Sequence, residues 1–211
     1  MEENTNPCSE ELSALLAISA KKAEIISQYS NKMEEIRNQV CNLRREMNSH
    51  LQFAQEMLTP AYHEYHDAIN KVDKINISEM EDIRDTSYPC KEITVVFRSL
   101  LYLRPINWEA EDDCEWDELK LCILDDVPSL IKAIIAFSEK KLGALTMVQI
   151  EKVKEIMKEY RIDKSDFDYT TKSLRALYQW INASINLYLI FDELGPAKDQ
   201  VKELKAQIKE L

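Results

Sequence analysis

Apolar residues recur every seven positions along the first third of the chain, and this spacing predicts one long helix. The first position of the repeat holds Ile26, Met33, Val40, Met47, Ala54, Ala61 and Ala68. The fourth position holds Tyr29, Ile36, Leu43 and Met57. Steps of three and four residues place these side chains on one narrow stripe, called the seam below, which a partner helix can bury. We expect a coiled-coil helix over residues 9–87, with Ser9 as its N-cap, after a disordered N-terminus at residues 1–8.

Two prolines, Pro60 and Pro89, lie in or just after this region. Pro60 is expected to kink the long helix or to remove one of its hydrogen bonds. Beyond Pro60 the fourth-position residues shift by one, to Tyr65 and Val72, which is a local change in the phase of the repeat. A stop at Asp85 is followed by Pro89, which suits the first turn of a new helix. The long helix is therefore expected to give way to a separate domain.

Short amphipathic segments predict a compact all-α domain over residues 88–196. The expected helices cover residues 90–103, a short stretch from Trp116, the stretch after Pro128, residues 146–160, and two last helices, Asp168–Trp180 and a continuation to Leu194. A second, shorter heptad run over residues 197–211 follows, with Val201, Leu204, Ile208 and Leu211. A helix that enters a domain and a helix that leaves it can pair antiparallel and form a stalk.

The composition agrees with an all-helical protein. Only 2 of 211 residues are glycine and 6 are proline, which favours helices joined by short loops. The net charge of −11 argues against general attraction to nucleic acid or to an anionic membrane, and no apolar run is long enough for a membrane helix. Five scattered cysteines without a CxxC pair indicate reduced thiols of a cytosolic protein, and inert thiols are favoured over redox-sensitive ones at Cys114 and Cys122.

No pattern in the sequence indicates catalysis. The chain has no GxxxxGK[ST] phosphate loop, and Ser, His and Asp show no spacing typical of nucleophilic catalysis, so we predict no enzyme and no cofactor. His63 and His66 share a helix face and could hold one edge of a metal site, but a solvent-facing pair is favoured and no metal is predicted. The acidic run at residues 109–118 could attract a cation or a basic partner, and a solvated loop is the favoured interpretation.

A series of short motifs runs from about residue 58 to the end of the chain. The first helix carries Pro60, Ala61, Ala68, Ile69, Val72 and the stretch Asn76-Ile77-Ser78-Glu79-Met80. The domain after it carries Pro89, Ile93, Val96, Leu100, Trp116-Asp117 and the stretch 137–142. The last long segment carries Ser173, Ala176, Leu177, Trp180, Ala183 and Pro196. In order and spacing, these motifs resemble the stalk and the microtubule-binding tip of dynein heavy chains, without the ATP-hydrolysing motor ring.

This resemblance implies a six-helix tip at residues 88–196 between two stalk-like helices, at residues 9–87 and 197–211. The implied tip core is Pro89, Val96, Trp116, Phe137, Trp180 and Pro196. In that family the tip grips tubulin mainly through its first, third and sixth helices, and sliding of one stalk helix along the other changes the grip. The candidate microtubule-binding residues are Lys91, Arg98, Lys132, Lys140 and Lys141. The resemblance also implies a place on the cytoskeleton in the cytoplasm, and the divergence of the tip leans towards an axonemal, ciliary type by analogy.

The charge of the tip departs from that family. Residues 88–198 contain 15 Lys and Arg against 19 Asp and Glu, a net charge of −4. In the sixth helix, Leu189 and Asp192 stand where the family places basic residues. Because the tubulin surface is acidic, we expect microtubule binding that is weaker than in the family.

The seam suggests a second function of a different class. The outgoing helix has about 77 residues (9–85) and the returning one 15 (197–211), so roughly 60 residues of seam lack an intrachain partner. Ile26, Met33, Val40 and Met47 are expected to face water, a second copy of the chain or a remainder of a longer protein. The alternative is therefore a coiled-coil scaffold that self-associates or recruits a partner through the long helix. The sequence leaves open whether the chain is complete or a fragment of a motor chain.

Overall fold

A computed structural model describes residues 7–106 and 115–211, with side chains from residue 11 onward. The described elements are all helical, which confirms the predicted all-α fold. The α-helices are α1 (Pro7–Val72), α2 (Ile77–Arg84), α3 (Lys91–Leu103), α4 (Trp116–Leu124), α5 (Val127–Ile135), α6 (Glu139–Leu142), α7 (Met147–Glu159), α8 (Lys172–Glu193) and α9 (Gly195–Glu210). A 3-10 helix, Lys164–Tyr169, precedes α8. Among the described residues, six α-helices lie wholly between residues 88 and 196. The expectation of two helices over residues 168–194 is wrong, because α8 runs without a break from Lys172 to Glu193.

None of the described helices combines the length and the apolar character that crossing a lipid bilayer requires.

The first helix begins earlier than predicted and continues through its internal proline. The described part of α1 already includes Pro7, two residues before the expected N-cap Ser9, and a proline is tolerated in the first turn of a helix. Pro60 lies inside α1 without ending it. The neighbouring Thr59 hydroxyl donates to the carbonyl oxygen of Gln55 at 2.7 Å. The phase shift after Pro60 is confirmed by burial, since Tyr65 and Val72 are buried.

The prediction of one continuous helix over residues 9–87 is wrong, because α1 ends at Val72 and α2 covers only Ile77–Arg84. Asn76 has an extended backbone (φ −81°, ψ 117°), and its side-chain oxygen accepts the N–H of Ser78 at 3.0 Å, which caps α2. The Ile75 N–H bonds to the Val72 carbonyl three residues earlier and tightens the end of α1. Asparagine favours this capping role over a place inside a helix, so a local side-chain bond outweighs the continuing apolar period.

The chain divides into two compact units, Met1–Phe53 with Pro196–Leu211 and Ala54–Gly195. We call the first the α1–α9 unit and the second the helical domain. In the α1–α9 unit, α9 lies beside α1, since one cleft is lined by Gln39, Asn42, Leu43 and Glu46 of α1 and by Gln207, Glu210 and Leu211 of α9. Val201 and Leu204 are buried and Ile208 is half-buried, so these three residues of the predicted heptad face form the contact face of α9, whereas the fourth, Leu211, is exposed.

The seam is only partly covered in this unit. Ile26 and Met33 expose 69% and 68% of their surface, as expected for an unpartnered seam. Val40 and Met47 are half-buried, so the expectation that they lack an intrachain partner is wrong. The reason is that α9 extends along α1 as far as Gln39.

The helical domain is built around α8. Half of the 22 residues of α8 are buried, and Trp180 at its middle is fully enclosed. The Trp180 ring meets Phe137 edge-on at a centroid distance of 5.5 Å, and Phe97 of α3 meets Trp116 of α4 in the same manner at 5.8 Å. The last turns of α1 contribute four residues to this core: Ala61, Tyr65, Ala68 and Val72. Their alanines allow a close approach between helices.

The implied tip core lies mostly, but not wholly, in this interior. Val96, Phe137 and Trp180 are buried. Pro89 and Trp116 are half-buried, and Pro89 precedes the N-cap Cys90 of α3 instead of lying in the first turn. The placement of Pro196 in the core is wrong, because it is exposed in the first turn of α9. A proline at that position needs no N–H partner and helps to start the helix whether or not it is buried.

Candidate functional site

Lys91, the first of the candidate microtubule-binding residues, is paired with a carboxylate. Its ammonium donates to Asp166 at 3.0 Å and lies 3.8 Å from Glu92, while 43% of its side chain remains exposed. The hydrogen bond to Asp166 raises the pKa of Lys91 above its usual value. The pKa of Asp166 is lowered, chiefly by the Asp163 N–H and then by Lys91. Lys91 therefore presents a largely compensated charge to any acidic partner.

The 3-10 helix holds Asp166 in place. The carboxylate accepts the Asp163 N–H at 2.7 Å, and the Asp163 side chain in turn caps the first turn of the 3-10 helix. Arg175 of α8 fixes the other end by donating to the carbonyl oxygens of Phe167 at 2.8 Å and Asp168 at 2.6 Å. This partner of Lys91 lies 75 residues away in sequence, which is why charge counting along the chain did not reveal it.

The other four candidates carry no such partner within the described part of the chain. Arg98 is half-buried on α3, Lys132 is exposed in the last turn of α5, and Lys140 and Lys141 are exposed on α6. None of the four forms a salt bridge with another described residue. They remain available to an acidic surface, unlike Lys91.

The five residues do not form one cluster. Lys91 begins α3, whereas Lys141 lines a cleft at the opposite end of that helix together with Leu103 and Arg104. With a rise of 1.5 Å per residue, the two ends of α3 are about 18 Å apart. The candidate surface is therefore extended along α3, α5 and α6.

Sequence reasoning missed Arg104, which it treated only as the end of a helix. Arg104 has a left-handed backbone (φ 47°, ψ 56°), and its N–H closes α3 on the Leu100 carbonyl at 3.0 Å. Its side chain lines a cleft of about 500 Å³ with Lys141, above apolar residues that include Phe137 and Leu145. The sequence signal was the Arg-Pro pair after an apolar helix, but the pair does not show that a lysine 37 residues later lies across the cleft.

The C-terminal part of α8 carries the two residues, Leu189 and Asp192, that the sequence places where basic residues were expected from the resemblance. Leu189 is half-buried and packs against the core of the helical domain. Asp192 is exposed, and its negative charge adds to the burial that raises the pKa of Tyr188. This end of α8 therefore offers an apolar and acidic surface instead of a basic one.

The two histidines, the acidic run and the cysteines are the remaining groups with candidate chemistry. His63 and His66 are exposed, and the described residues contain no group of three or more side chains that could hold a metal ion. Of the acidic run, residues 109–114, and with them Cys114, lie outside the described residues. Asp117 forms a salt bridge with Lys120 at 2.6 Å. Cys122 is a half-buried free thiol.

Two of the motifs from the sequence meet in space. The Glu79 carboxylate accepts the backbone N–H of Ser173 at 3.0 Å, and the Asn76 N–H donates to the Ser173 hydroxyl at 3.1 Å. Ser173 lies in the first turn of α8, two residues after the N-cap Thr171. We call this group of three residues the Ser173 junction. It joins the stretch 76–80 to the start of the motif that includes Trp180.

The chain matches no protein-family model and no curated protein sequence.

Proposed function

We propose that this chain is a non-catalytic microtubule-binding module, similar to the stalk and tip of dynein heavy chains. It is part of, or derived from, a microtubule motor heavy chain, and its grip on tubulin is weakened by loss of basic residues. The partner is the microtubule, and the place of action is the cytoskeleton of the cytoplasm or the axoneme of a cilium. A motor of this kind would hydrolyse ATP in a ring that lies outside these residues.

The Ser173 junction is the observation that carries this proposal. The two motif segments lie 94 to 97 residues apart in sequence, and both belong to the series of motifs that carries the resemblance. Their hydrogen bonds link the segment after the first long helix to the start of the last long helix of the domain. The order of elements agrees with it: a long helix, six α-helices among the described residues, and a helix that lies beside the first.

The charges explain why the grip is expected to be weak. Lys91 is paired with Asp166, and the C-terminal part of α8 carries Leu189 and Asp192 where basic residues would attract tubulin. Lys132, Lys140 and Lys141 are exposed on α5 and α6 and form no salt bridge with another described residue, although Lys132 helps to lower the pKa of Asp126. Binding through so few charges should be sensitive to ionic strength, because exposed charges are screened within about 10 Å at 0.1 M salt.

Co-sedimentation with microtubules at low salt tests the proposal. The unmodified chain should pellet saturably, and the bound fraction should fall as salt is raised. The double variant Lys132→Glu with Lys140→Glu should lose binding, whereas the matched charge reversal Lys209→Glu on α9 should not. Equal pelleting of all three proteins would show that α5 and α6 do not face tubulin. An absence of pelleting at low salt with a folded chain would overturn the proposal.

One observation favours the alternative, a coiled-coil scaffold. Within the α1–α9 unit, Ile26, Tyr29 and Met33 are each about two-thirds exposed on one helix face. An apolar stripe of this kind favours association with another helix. Light scattering after gel filtration separates the two functions. A monomer that pellets with microtubules supports the motor module, and a dimer that becomes monomeric in Ile26→Glu with Met33→Glu and ignores microtubules supports the scaffold.

A further inference from the structure

We infer that the cleft between Arg104 and Lys141 binds an acidic peptide segment of a partner protein, with one apolar side chain of that peptide in the cleft. The cleft shares Lys141 with the candidate microtubule-binding residues, but the binding itself needs only the helical domain and a short peptide. The cleft lies between the end of α3, α6 and the first turn of α7.

The size of the cleft suits a short peptide segment. Its volume of about 500 Å³ falls within the range of roughly 300–1,000 Å³ that is typical of ligand clefts in proteins. Leu103 and Phe137 at its base are buried, and Leu145 is half-buried. Because Leu103 and Phe137 are buried, the apolar surface that an inserted aliphatic or aromatic side chain can contact comes from the half-buried Ile106 and Leu145.

The described charges that line the cleft are of one sign. Arg104 and Lys141 both line it and are exposed, and none of the described lining residues is an Asp or a Glu. Neither cation forms a salt bridge with another described residue. A guanidinium can hold a carboxylate through two parallel hydrogen bonds, and an ammonium adds a second point of attraction. Carboxylates on both sides of an apolar side chain match this arrangement.

Gln149 is the one uncharged polar residue among the described lining residues. Its amide nitrogen donates to the Tyr102 carbonyl at 2.9 Å, and its oxygen accepts the Thr146 N–H at 2.9 Å, so two bonds fix its orientation in the wall. Nucleic acid is disfavoured as a ligand by the net charge of −11. An acidic peptide remains the ligand whose chemistry the cleft complements.

The backbone of Arg104 provides a variant that separates binding from folding. Arg104 occupies the left-handed position after α3, where glycine is the least strained residue. Arg104→Gly should therefore remove the guanidinium while leaving the fold as stable as before or more stable. Arg161 after α7 has the same kind of backbone (φ 50°) and does not line the cleft, so Arg161→Gly is its matched control.

Fluorescence polarisation of a labelled peptide, six glutamates with a central phenylalanine, tests the inference on the full chain. We expect saturable binding that weakens with salt and that needs the phenylalanine, since a glycine in its place should bind less. Arg104→Gly and Lys141→Gln should each weaken binding about tenfold, the usual effect of losing one charge-assisted hydrogen bond. Arg161→Gly and the neighbouring Lys140→Gln should bind as the unmodified chain does.

Three results would overturn the inference. The first is the absence of saturable binding to a folded chain. The second is an equal loss of binding in Arg161→Gly or Lys140→Gln, which would indicate general attraction to positive charge. The third is displacement of the peptide by inorganic phosphate at equal concentration, which would make the cleft an anion site. Thermal melting of Arg104→Gly, with an unchanged or higher midpoint, shows that its lost binding is not unfolding.

Discussion

The Glu79 carboxylate accepts the backbone N–H of Ser173 at 3.0 Å, so α2 is joined to the N-terminal turn of α8. Hydrogen bonds from the Ser173 side chain and N–H lower the pKa of Glu79 below its usual value. A carboxylate at this place also interacts favourably with the unpaired N–H groups and the dipole of α8. This contact ties together two segments that the resemblance to the dynein stalk and tip had treated separately.

Replacing Glu79 with alanine should lower the free energy of unfolding by about 1 kcal/mol at pH 7, the usual cost of losing a helix-capping group. Because the pKa of Glu79 is lower in the folded state, its contribution is present above the unfolded pKa of about 4.3 and is lost as pH falls through the folded value. Urea denaturation at pH 7 and pH 3 measures this. An equal difference between the two proteins at both pH values would contradict it.

The buried hydroxyl of Tyr65 donates to the Phe137 carbonyl at 2.7 Å and links α1 to the turn after α5. Tyr65→Phe should therefore destabilise the protein by about 1–2 kcal/mol, because the buried carbonyl loses its partner. Tyr29→Phe on the exposed seam is the control and should have no effect.

Burial also raises the pKa of Tyr65 to about 12, so this tyrosine should resist ionisation in a spectroscopic titration. A normal titration of every tyrosine would argue against the buried contact.

Ser99 on α3 is buried, and its hydroxyl has no hydrogen-bond partner among the described residues. Ser99→Ala should raise the free energy of unfolding by about 1 kcal/mol, because the variant no longer buries a hydroxyl group without a hydrogen-bond partner when it folds. Ser184 is the matched control, because its equally buried hydroxyl donates to the Trp180 carbonyl at 2.8 Å. Ser184→Ala should give no gain. Chemical denaturation of both variants measures the two changes in the free energy of unfolding.

Asp166→Asn should strengthen microtubule binding, because it frees Lys91 while the asparagine oxygen can still accept the Asp163 N–H. The gain should be at most about fivefold, since an exposed charge pair contributes about 1 kcal/mol or less. Asp199→Asn is the matched control, as it breaks the Asp199–Lys202 pair on α9. Co-sedimentation at low salt measures both. An unchanged affinity in Asp166→Asn would mean that Lys91 does not face tubulin.

Periodic patterns predicted much of the fold, because helices in this chain bury regular stripes. Residues 90–103 and 146–160 form helices within one residue of their predicted bounds. The pattern failed at Asn76, where one side-chain bond ends a periodic segment. It also did not predict the four-residue helix α6, which its N-cap Ser138 starts. Features shorter than one or two turns leave no period to detect.

The candidate site was less predictable from sequence, because its properties depend on contacts between distant residues. Lys91 was read as an available charge, but Asp166 compensates it from another element. Arg104 was read as a helix end, although it faces the same cleft as Lys141. Val40 and Met47 were predicted to lack an intrachain partner, but α9 lies beside this part of the seam. In each case the sequence shows the charge or polarity of the residue, but it does not show which distant residue lies next to it in the fold.

Imaging of microtubules incubated with the chain at low salt by electron cryomicroscopy tests the central claim most directly. The account predicts regular decoration in which α3 and α5 of the helical domain lie against the tubulin surface, with Lys132 close to it. Bare microtubules in the presence of a folded chain would contradict the account. So would decoration in which only α1 touches the lattice.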